Sequence, residues 1–495
     1  MLEPISLDIA SLNLPALLPM AILVFGALSI LVVDLAVKGL SRSFFTMITV
    51  LFIILDFGAV VGYNGPTRGF FDVLLVDGIA IVAQVIILVA SAFFVPLSLS
   101  NRNFKEFEMA EFYALFMFMI VGFQCMVVSD NLILIFIGVE TASLSLYTLI
   151  AMHNRAKAFE AAIKYFTMGA LAAGLYALSA LIFYAMTGSV EIHQIEDVLV
   201  DRNFEPILGV IVAAVFMFGA LGFKLSMVPS HTWTPDVYEG SSAPLAGYMA
   251  VVPKIAGFVV AMRLFEMLVI SGVTWLEHIL YAAVVLTMTV ANITALVQDD
   301  VKRMLAFSSI SHAGSMMALI MIGTTQANTA LFLYWTLFMF TNLGAFTMIW
   351  IVRHRQNLWD ERYQHPFTKF SGMIKIMPIT ATIMAIFMFA LAGMPPFSVF
   401  WGKFYLLSAA INAEFIFLAL IIVVNSAIAV YYYMKLVVYM FLKEPVVKDA
   451  RLYNTNASTP LKVILGFAAM VTVFAIVFVE PLLNIITKYV TASGF

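Results

Sequence analysis

The feature that most constrains this chain is a series of long apolar segments, each close to the length that crosses a lipid bilayer. A transmembrane helix needs about 20 mostly apolar residues, and we identify fourteen such segments. Because an open strand edge cannot satisfy its backbone hydrogen bonds in lipid, each segment is predicted to be a helix. The predicted spans are roughly 16–37, 44–63, 74–98, 109–128, 131–152, 158–186, 207–228, 243–268, 274–297, 304–322, 328–352, 374–407, 414–442 and 461–487.

Composition also indicates a membrane protein. Of the 495 residues, 63% are hydrophobic and 11% are charged, whereas a soluble globular protein has about 45–50% apolar and about 25% charged residues. Lipid is therefore the expected surrounding, and the net charge of −3 gives no indication of a nucleic-acid partner. The single cysteine, Cys125, excludes a disulfide within the chain and an iron–sulfur cluster held by four of its own thiolates.

Loop charges predict the orientation, because cytoplasmic loops carry an excess of Lys and Arg. In one alternate set of loops, taken with the C-terminal tail, the basic residues are only Arg68, Arg202 and Lys488. We therefore predict that both termini lie outside and that the other loops face the cytoplasm of a bacterium, a mitochondrial matrix being less favoured. The basic residues of those loops are Lys38, Arg42, Arg102, Lys105, Arg155, Lys157, Lys302, Arg303, Arg353, Arg355, Arg362, Lys369, Lys375, Lys443, Lys448 and Arg451.

Two predicted spans are interrupted by proline, which removes a backbone donor and clashes with the preceding helical turn. Span seven runs through Lys224 into Pro229 and Pro235, and span twelve is broken at Pro395 and Pro396. Carbonyl groups freed by such a break must be satisfied inside the protein or by water. Breaks at corresponding places in two halves of a transporter point to an ion site.

The predicted fold is an all-α polytopic membrane protein with about fourteen transmembrane helices and two inverted five-helix repeats, each containing a broken helix. Each repeat has an odd number of spans, so the second enters the membrane upside down. We divide the chain into an N-terminal three-helix segment (1–108), a first repeat (109–268), a second repeat (269–442) and a C-terminal loop and helix (443–495). This pairing matches span five to span ten and span seven to span twelve.

Six ionisable residues inside the spans are the candidate site residues: Glu140, Lys164, Lys224, Lys254, His312 and Lys403. A charge at the bilayer centre costs about 2.5–3.5 kcal/mol on insertion scales, so these groups must be paired, neutralised or hydrated. Removal from water lowers the pKa of a lysine toward neutrality, where the amine can both accept and release a proton. A carboxylate that approaches and leaves a lysine shifts this balance, so the constellation predicts proton transfer through the membrane.

Structural explanations compete for single residues. One intramembrane lysine can be a fixed ion pair that holds helices together, and Lys164 lies close enough to the end of span six for its ammonium group to reach water. An interfacial or helix-pairing role is preferred for Asp34 and Asp56. His231, just after the first break, either carries protons or caps the break. A haem held between His231 and His312 is disfavoured.

Four stretches around these residues resemble the antiporter-like membrane subunits of respiratory complex I (NADH-quinone oxidoreductase). Residues 223–240, which end in WTPDVYEG, resemble the broken seventh helix of those subunits and are similar to subunit N rather than to subunits L and M. The other stretches are 138–147, 301–312 and 391–405, and the resemblance extends over residues 111–433.

The resemblance implies a role for each ionisable residue. Glu140 matches the carboxylate beside the pumping lysine, Lys224 matches that central lysine, and Lys254 matches a connecting lysine on helix eight. His312 matches the link on helix ten, and Lys403 matches the exit-side lysine on broken helix twelve.

The family implies a role for Lys164, which matches a further family lysine, and it implies partners as well. This chain would carry no cofactor, while flavin, iron–sulfur clusters and quinone would belong to partner subunits. The partners would be other membrane subunits of complex I, especially neighbouring antiporter-like and small helical subunits. The residues expected to support the two broken helices are Pro229, His231, Pro235, Pro395 and Pro396.

Three other functions compete with this one. A subunit of a multisubunit cation/proton antiporter would share the fold and the lysines, although the sequence at 235–240 argues against it. A scaffold that conducts nothing would tolerate the loss of Lys224 or Glu140. A quinone-binding redox subunit would need a quinone site, and the sequence has no motif for one.

Overall fold

The structure is a computed structural model that describes residues 12–63, 66–99, 105–270, 273–354, 364–446, 453–455 and 458–494. The described chain is largely helical, as predicted. Five basic loop residues used to predict the orientation lie outside the described residues, namely Arg102, Arg355, Arg362, Lys448 and Arg451.

Short loops and turns join the helices. In chain order the helices are α1 Leu18–Ala36, α2 Arg42–Val61, α3 Gly78–Phe94, α4 Ala110–Val127, α5 Leu132–Ala151, α6 Ala156–Thr187, α7 Ile192–Asp201, α8 Ile207–Lys224, α9 Trp233–Gly240, α10 Ala243–Met249, α11 Val252–Phe265, α12 Thr274–Leu296, α13 Val301–Ile322, α14 Thr325–Ile351, α15 Met373–Ile376, α16 Pro378–Ala392, α17 Ser398–Asn412, α18 Ile416–Leu442, α19 Thr459–Val473 and α20 Ala475–Ala492. Two antiparallel pairs of short strands accompany them: β1 Thr67–Gly69 with β2 Leu74–Val76, and β3 Val352–His354 with β4 Tyr453–Thr455.

Thirteen helices in the described ranges are long and apolar enough to cross a membrane, and each coincides with one predicted span. The remaining span, 374–407, is present as two half-helices, α16 and α17, as the proline break predicted. The last predicted span differs, because α19 and α20 divide it at Phe474. Just before this point, Thr472 Oγ1 donates a hydrogen bond to Ala468 O at 2.7 Å. Such bonding to the preceding turn bends helices.

The helices differ strongly in how much of their surface the chain itself covers. The apolar window of Ala243–Val269, which includes α10 and α11, is 100% buried, and the windows of α13 and α14 are each 89% buried. By contrast the window of α6 is 28% buried and that of α20 is 22% buried. A helix that is apolar on all sides belongs in a protein interior or in lipid, so α11, α13 and α14 form the centre and the outer helices face lipid or partners.

The first break, residues 225–232, is held by side chains that replace the lost helical bonds. The Trp233 indole donates to Phe223 O at 3.0 Å, which satisfies a carbonyl at the end of α8. Thr234 Oγ1 donates to Ser226 Oγ at 2.7 Å, and Ser226 has the left-handed φ of 59° that turns the chain. The break therefore orders the backbone directly beside Lys224.

Candidate functional site

Lys224 ends α8 immediately before the first break. Its ammonium group donates a hydrogen bond to Ser143 Oγ on α5, and it lies 6.0 Å from the centre of the Tyr165 ring on α6. Ser143 Oγ in turn donates to Val139 O. The structure thus places Lys224 where α5, α6 and α8 meet, with a hydroxyl group as its direct partner.

Glu140 lies on α5, close to one helical turn before Ser143, and is partly exposed. The charges of Glu140 and Lys224 act on each other. The direct partner of Lys224 among the described residues is nevertheless Ser143. Ile137 and Leu144 flank Glu140 on the same face of α5, and each is 51% exposed. Glu140 therefore stands at the edge of the chain, on a face that is otherwise apolar.

Lys254 lies on α11 and is 1% exposed. Its ammonium group donates to Ser309 O at 2.7 Å and to Ser309 Oγ at 3.2 Å, both on α13. These partners are a carbonyl and a hydroxyl, and the ion pairs of the described residues include none with Lys254. The lysine is therefore buried without a fixed counter-charge.

His312 lies between two tyrosine hydroxyl groups. Its Nδ1 is 2.6 Å from Tyr334 Oη on α14, and its Nε2 is 3.2 Å from Tyr433 Oη on α18. Tyr433 Oη also forms a hydrogen bond with Ser308 Oγ, which is adjacent in sequence to the Ser309 that binds Lys254. Hydrogen-bonding groups therefore extend from the Lys254 partner to His312 and on to Tyr334.

Lys403 lies on α17, just after the second break. Its ammonium group donates to Ala392 O at 3.1 Å and Leu391 O at 3.4 Å, so it caps the C-terminal end of α16. A positive charge at this end of a helix interacts favourably with the last carbonyl groups. His312 interacts electrostatically with both Lys403 and Lys254.

Tyr238 connects the surroundings of the first lysine with those of the second. It lies on α9 and is 0% exposed. Its ring lies 6.4 Å from that of Trp233, which stacks on Tyr165 at 4.4 Å. Its hydroxyl group interacts with Ser309, the partner of Lys254. Tyr238 therefore contacts the surroundings of both lysines.

Lys164 is separate from this buried set. Its side chain is 44% exposed and forms ion pairs with Glu160 at 2.8 Å and with Asp236 at 3.0 Å. These groups line a recess of 110 Å³ near the Ala156 end of α6. The position agrees with the snorkelling alternative, although the arrangement does not test the role that the family resemblance implies.

A network of charges around this recess joins α6, α9 and α13. Arg303 pairs with Asp236 at 3.0 Å and also with Glu239, and Lys157 pairs with Glu239 at 3.0 Å. Lys302, predicted to lie in a loop, is instead 0% exposed on α13 and donates to Glu239 O at 2.9 Å and to Ser241 O. Lys302 thus caps α9, since free carbonyl groups at a helix end attract a cation.

The prolines and His231 lie at the two breaks. Pro235 is buried in α9, whereas Pro229, Pro395 and Pro396 are exposed at the two bends. His231 is partly exposed, and its Nδ1 is buried without a partner among the described residues. Its two alternative roles, proton carrier or cap of the break, both stay predictions.

Several polar residues of the site are not among the predicted residues, namely Ser143, Ser308, Ser309, Tyr238, Tyr334 and Tyr433. The serines carried a signal, because each lies three or four positions from Glu140 or His312 on the same helix and so shares its face. The tyrosines carried none, since 18 tyrosines are spread through the chain and their pairing depends on tertiary contacts. No group of three or more His, Cys, Asp or Glu residues in the described part could hold a metal ion.

Comparison with known proteins agrees with this architecture. Residues 129–429 match the family model described as NADH:quinone oxidoreductase/Mrp antiporter, TM. The NADH-quinone oxidoreductase subunit N of Sulfurimonas denitrificans is 58% identical over 502 residues, with 100% of both chains covered. This chain belongs to the NADH-quinone oxidoreductase subunit N family. The resemblance inferred from the sequence motifs is thereby confirmed.

Solved structures share the fold of this subunit N family member. A chain of respiratory complex I from Thermus thermophilus with bound aureothin superposes with a TM-score of 0.79 at 26% identity, covering 94% of this chain and 98% of the other. A chain of the Mrp complex from Dietzia sp. gives a TM-score of 0.82 at 18% identity, with 97% of each chain covered. The second likeness concerns the fold alone.

Proposed function

We propose that this chain is a proton-translocating subunit of the membrane arm of an NADH-quinone oxidoreductase in a bacterial inner membrane. Protons move along Lys224, Lys254, His312 and Lys403. The observation that carries the proposal is that these groups, of which Lys254 and His312 are buried and Lys224 and Lys403 half-buried, bind hydroxyl and carbonyl groups rather than carboxylates. A lysine fixed in an ion pair keeps its proton, whereas one bound to neutral oxygens can release it.

The first transfer involves Glu140 and Lys224. An ionised Glu140 favours the ammonium form of Lys224, because an opposite charge nearby stabilises a charged group. When Glu140 is neutralised, this support is lost and Lys224 releases its proton. Glu140 stands at a partly exposed edge, so a neighbouring antiporter-like or small helical subunit could change its state and thereby start the transfer.

The second transfer passes the first break toward Lys254. Tyr238 lies between the Trp233–Tyr165 stack beside Lys224 and the Ser309 that binds Lys254. Its hydroxyl group can act both as a donor and as an acceptor. With water in the intervening space, this hydroxyl group would carry a proton from the first lysine to the second.

The third transfer leads from Lys254 to Lys403 through His312. Neutral imidazole donates at one nitrogen and accepts at the other, so a proton taken up from the Tyr433 side can leave on the Tyr334 side. Tyr334 lies against Gly402, the residue before Lys403, because a β-carbon on Gly402 would lie 2.7 Å from Tyr334 Cδ2. Tyr334 therefore contacts the second broken helix through its ring and backbone, while its hydroxyl group binds His312.

The energy must come from elsewhere in the assembly. Moving one charge against about 150–200 mV costs roughly 3.5–4.6 kcal/mol. We assign flavin, iron–sulfur clusters and quinone to partner subunits and none to this chain. Quinone reduction in those subunits would drive the change at Glu140 through the membrane interfaces, and lipid would surround the remaining apolar faces.

A comparison of two buried lysines tests the proposal. In the intact complex reconstituted in vesicles, Lys254→Met should sharply lower proton translocation coupled to NADH oxidation while the complex still assembles. Lys302→Met is the matched control, because Lys302 is equally buried and also binds backbone carbonyl groups, but it lies at the end of α9 beside the Arg303–Glu239 ion pair. It should lower thermal stability and leave the protons moved per electron unchanged. Unchanged coupling in Lys254→Met would favour the scaffold.

The alternative is a subunit of a multisubunit cation/proton antiporter. Two observations favour it: the fold is shared with the Mrp chain, and the family model covers Mrp antiporters as well. Purification of the native assembly separates the two functions. Co-isolation with flavin and iron–sulfur proteins supports the oxidoreductase, whereas their absence together with cation-dependent proton exchange supports the antiporter.

A further inference from the structure

Asp56 lies on α2 and is 0% exposed. It is far in sequence from Lys224, Lys254 and Lys403 and lies on a different set of helices. It is five residues from Val61, the last residue of α2, or about 7.5 Å along the helix. Its Oδ2 accepts a hydrogen bond from Gln124 Nε2 on α4 at 2.7 Å. Asp56 Oδ1 and Gln124 Oε1 are both buried without a hydrogen-bond partner among the described residues.

The helices around Asp56 supply no positive charge. α2 contacts α1, α3, α4 and the turn Val95–Leu99, and none of these four segments contains Lys, Arg or His. The basic residue of α2 is Arg42, at its first position, which is about 21 Å from Asp56 along the axis. Asp56 is also fully buried, so a partner subunit cannot reach it with a lysine.

The other titratable groups on these elements do not neutralise a carboxylate. Tyr63, beyond the end of α2, acts on Asp56 electrostatically. Cys125, next to Gln124, donates to Met20 Sδ at 3.4 Å. The remaining groups on the packed helices lie toward their other ends and are Asp34, Glu111 and Tyr113.

An ionised carboxylate in this position would be a buried charge with one amide donor and no counter-ion. Such a charge is far more costly to bury than a neutral acid, which needs only modest hydrogen bonding. We propose that Asp56 is a protonated carboxylic acid at neutral pH, and hence a proton-binding site separate from Lys224, Lys254 and Lys403.

Infrared difference spectroscopy of the assembled complex decides the proposal. The spectrum of the native complex minus that of Asp56→Asn at neutral pH should contain the carbonyl stretch of a protonated carboxylic acid. Gln124→Met should move this band to higher frequency, because the carbonyl oxygen loses its hydrogen bond. Absence of the band, or an ionised carboxylate signal in its place, would overturn the proposal.

A stability comparison tests the proposal independently of the spectrum. Asp56→Asn should assemble with nearly native thermal stability, because the amide has the size of the neutral acid and still offers an oxygen acceptor to Gln124 Nε2. A large loss of stability in Asp56→Asn, without the infrared band, would indicate an ionised structural carboxylate instead.

Discussion

The hydroxyl group of Tyr147 occupies the space that a side chain at Gly169 would need. A β-carbon added to Gly169 on α6 would lie 2.0 Å from Tyr147 Oη. Tyr147 lies on α5, one turn beyond Ser143, which accepts the hydrogen bond from Lys224. The absence of a side chain at Gly169 therefore fixes where the tyrosine ring sits beside the first lysine.

Gly169→Ala should displace Tyr147 and disturb the Lys224 surroundings. Overpacking of this kind costs about 1–3 kcal/mol, and we expect a lower thermal stability of the complex together with weaker coupled proton translocation. Gly174→Ala on the same helix is the matched control, since nothing lies within 4 Å of its β-carbon. Adding Tyr147→Phe to Gly169→Ala should restore part of the stability. Equal behaviour of the two alanine variants would contradict the assignment.

Proton transfer through His312 should depend on both of its tyrosine partners. Tyr334→Phe and Tyr433→Phe each remove one hydroxyl group bonded to the imidazole ring, a loss of about 1 kcal/mol. We expect coupled proton translocation to fall about fivefold in each variant, the ratio that such an energy represents. The measurement is the number of protons moved per NADH oxidised in vesicles.

Tyr248→Phe provides the control for these variants. Tyr248 is equally buried, but its hydroxyl group forms a hydrogen bond with Ser91 Oγ at 2.8 Å. Its removal should affect stability without a comparable effect on proton translocation. A uniform effect of all three phenylalanine variants would indicate that the tyrosines only support packing.

Arg263 is buried and forms an ion pair with a buried carboxylate. It is 5% exposed on α11 and contacts Asp77 at 2.9 Å, and Asp77 also caps α3 by accepting from Ala80 N at 2.9 Å. Arg263→Met leaves a buried carboxylate unpaired and should cost about 3–5 kcal/mol. The double change with Asp77→Asn should recover most of this stability, since Asn keeps the cap. Thermal unfolding of the assembled complex measures both effects.

Much of the fold follows from the sequence because the rule that governs it is local. Each span needs about 20 apolar residues, and that count can be read directly. The proline breaks are local as well, so both discontinuous helices were predicted near their observed positions. The division of the last span at Phe474 was not predicted, because it depends on where Thr472 bonds within a tertiary contact to Thr341.

The site was predictable in its charges but not in its connections. Intramembrane lysines, Glu140 and His312 are conspicuous in an apolar sequence, and their residue types set the chemistry. Whether a lysine faces a carboxylate or a hydroxyl group depends on helix rotation, which apolar spans do not reveal. Thus Lys164, a candidate inside a span, lies at the surface, whereas Lys302, expected in a loop, is fully buried.

Alanine substitutions at two glycines distinguish the effect of backbone strain from the effect of displacing Lys403. Gly393 ends α16 with a φ of 82°, and a β-carbon there would lie 2.7 Å from Lys403 Cδ. Gly188 ends α6 with a φ of 77°, and nothing lies within 4 Å of its β-carbon. A left-handed non-glycine residue costs about 1–2 kcal/mol, so Gly393→Ala and Gly188→Ala should both lose stability. If Lys403 conducts protons, only Gly393→Ala should also lower coupled proton translocation in vesicles, and parallel losses in both variants would show that the second break needs only its backbone shape.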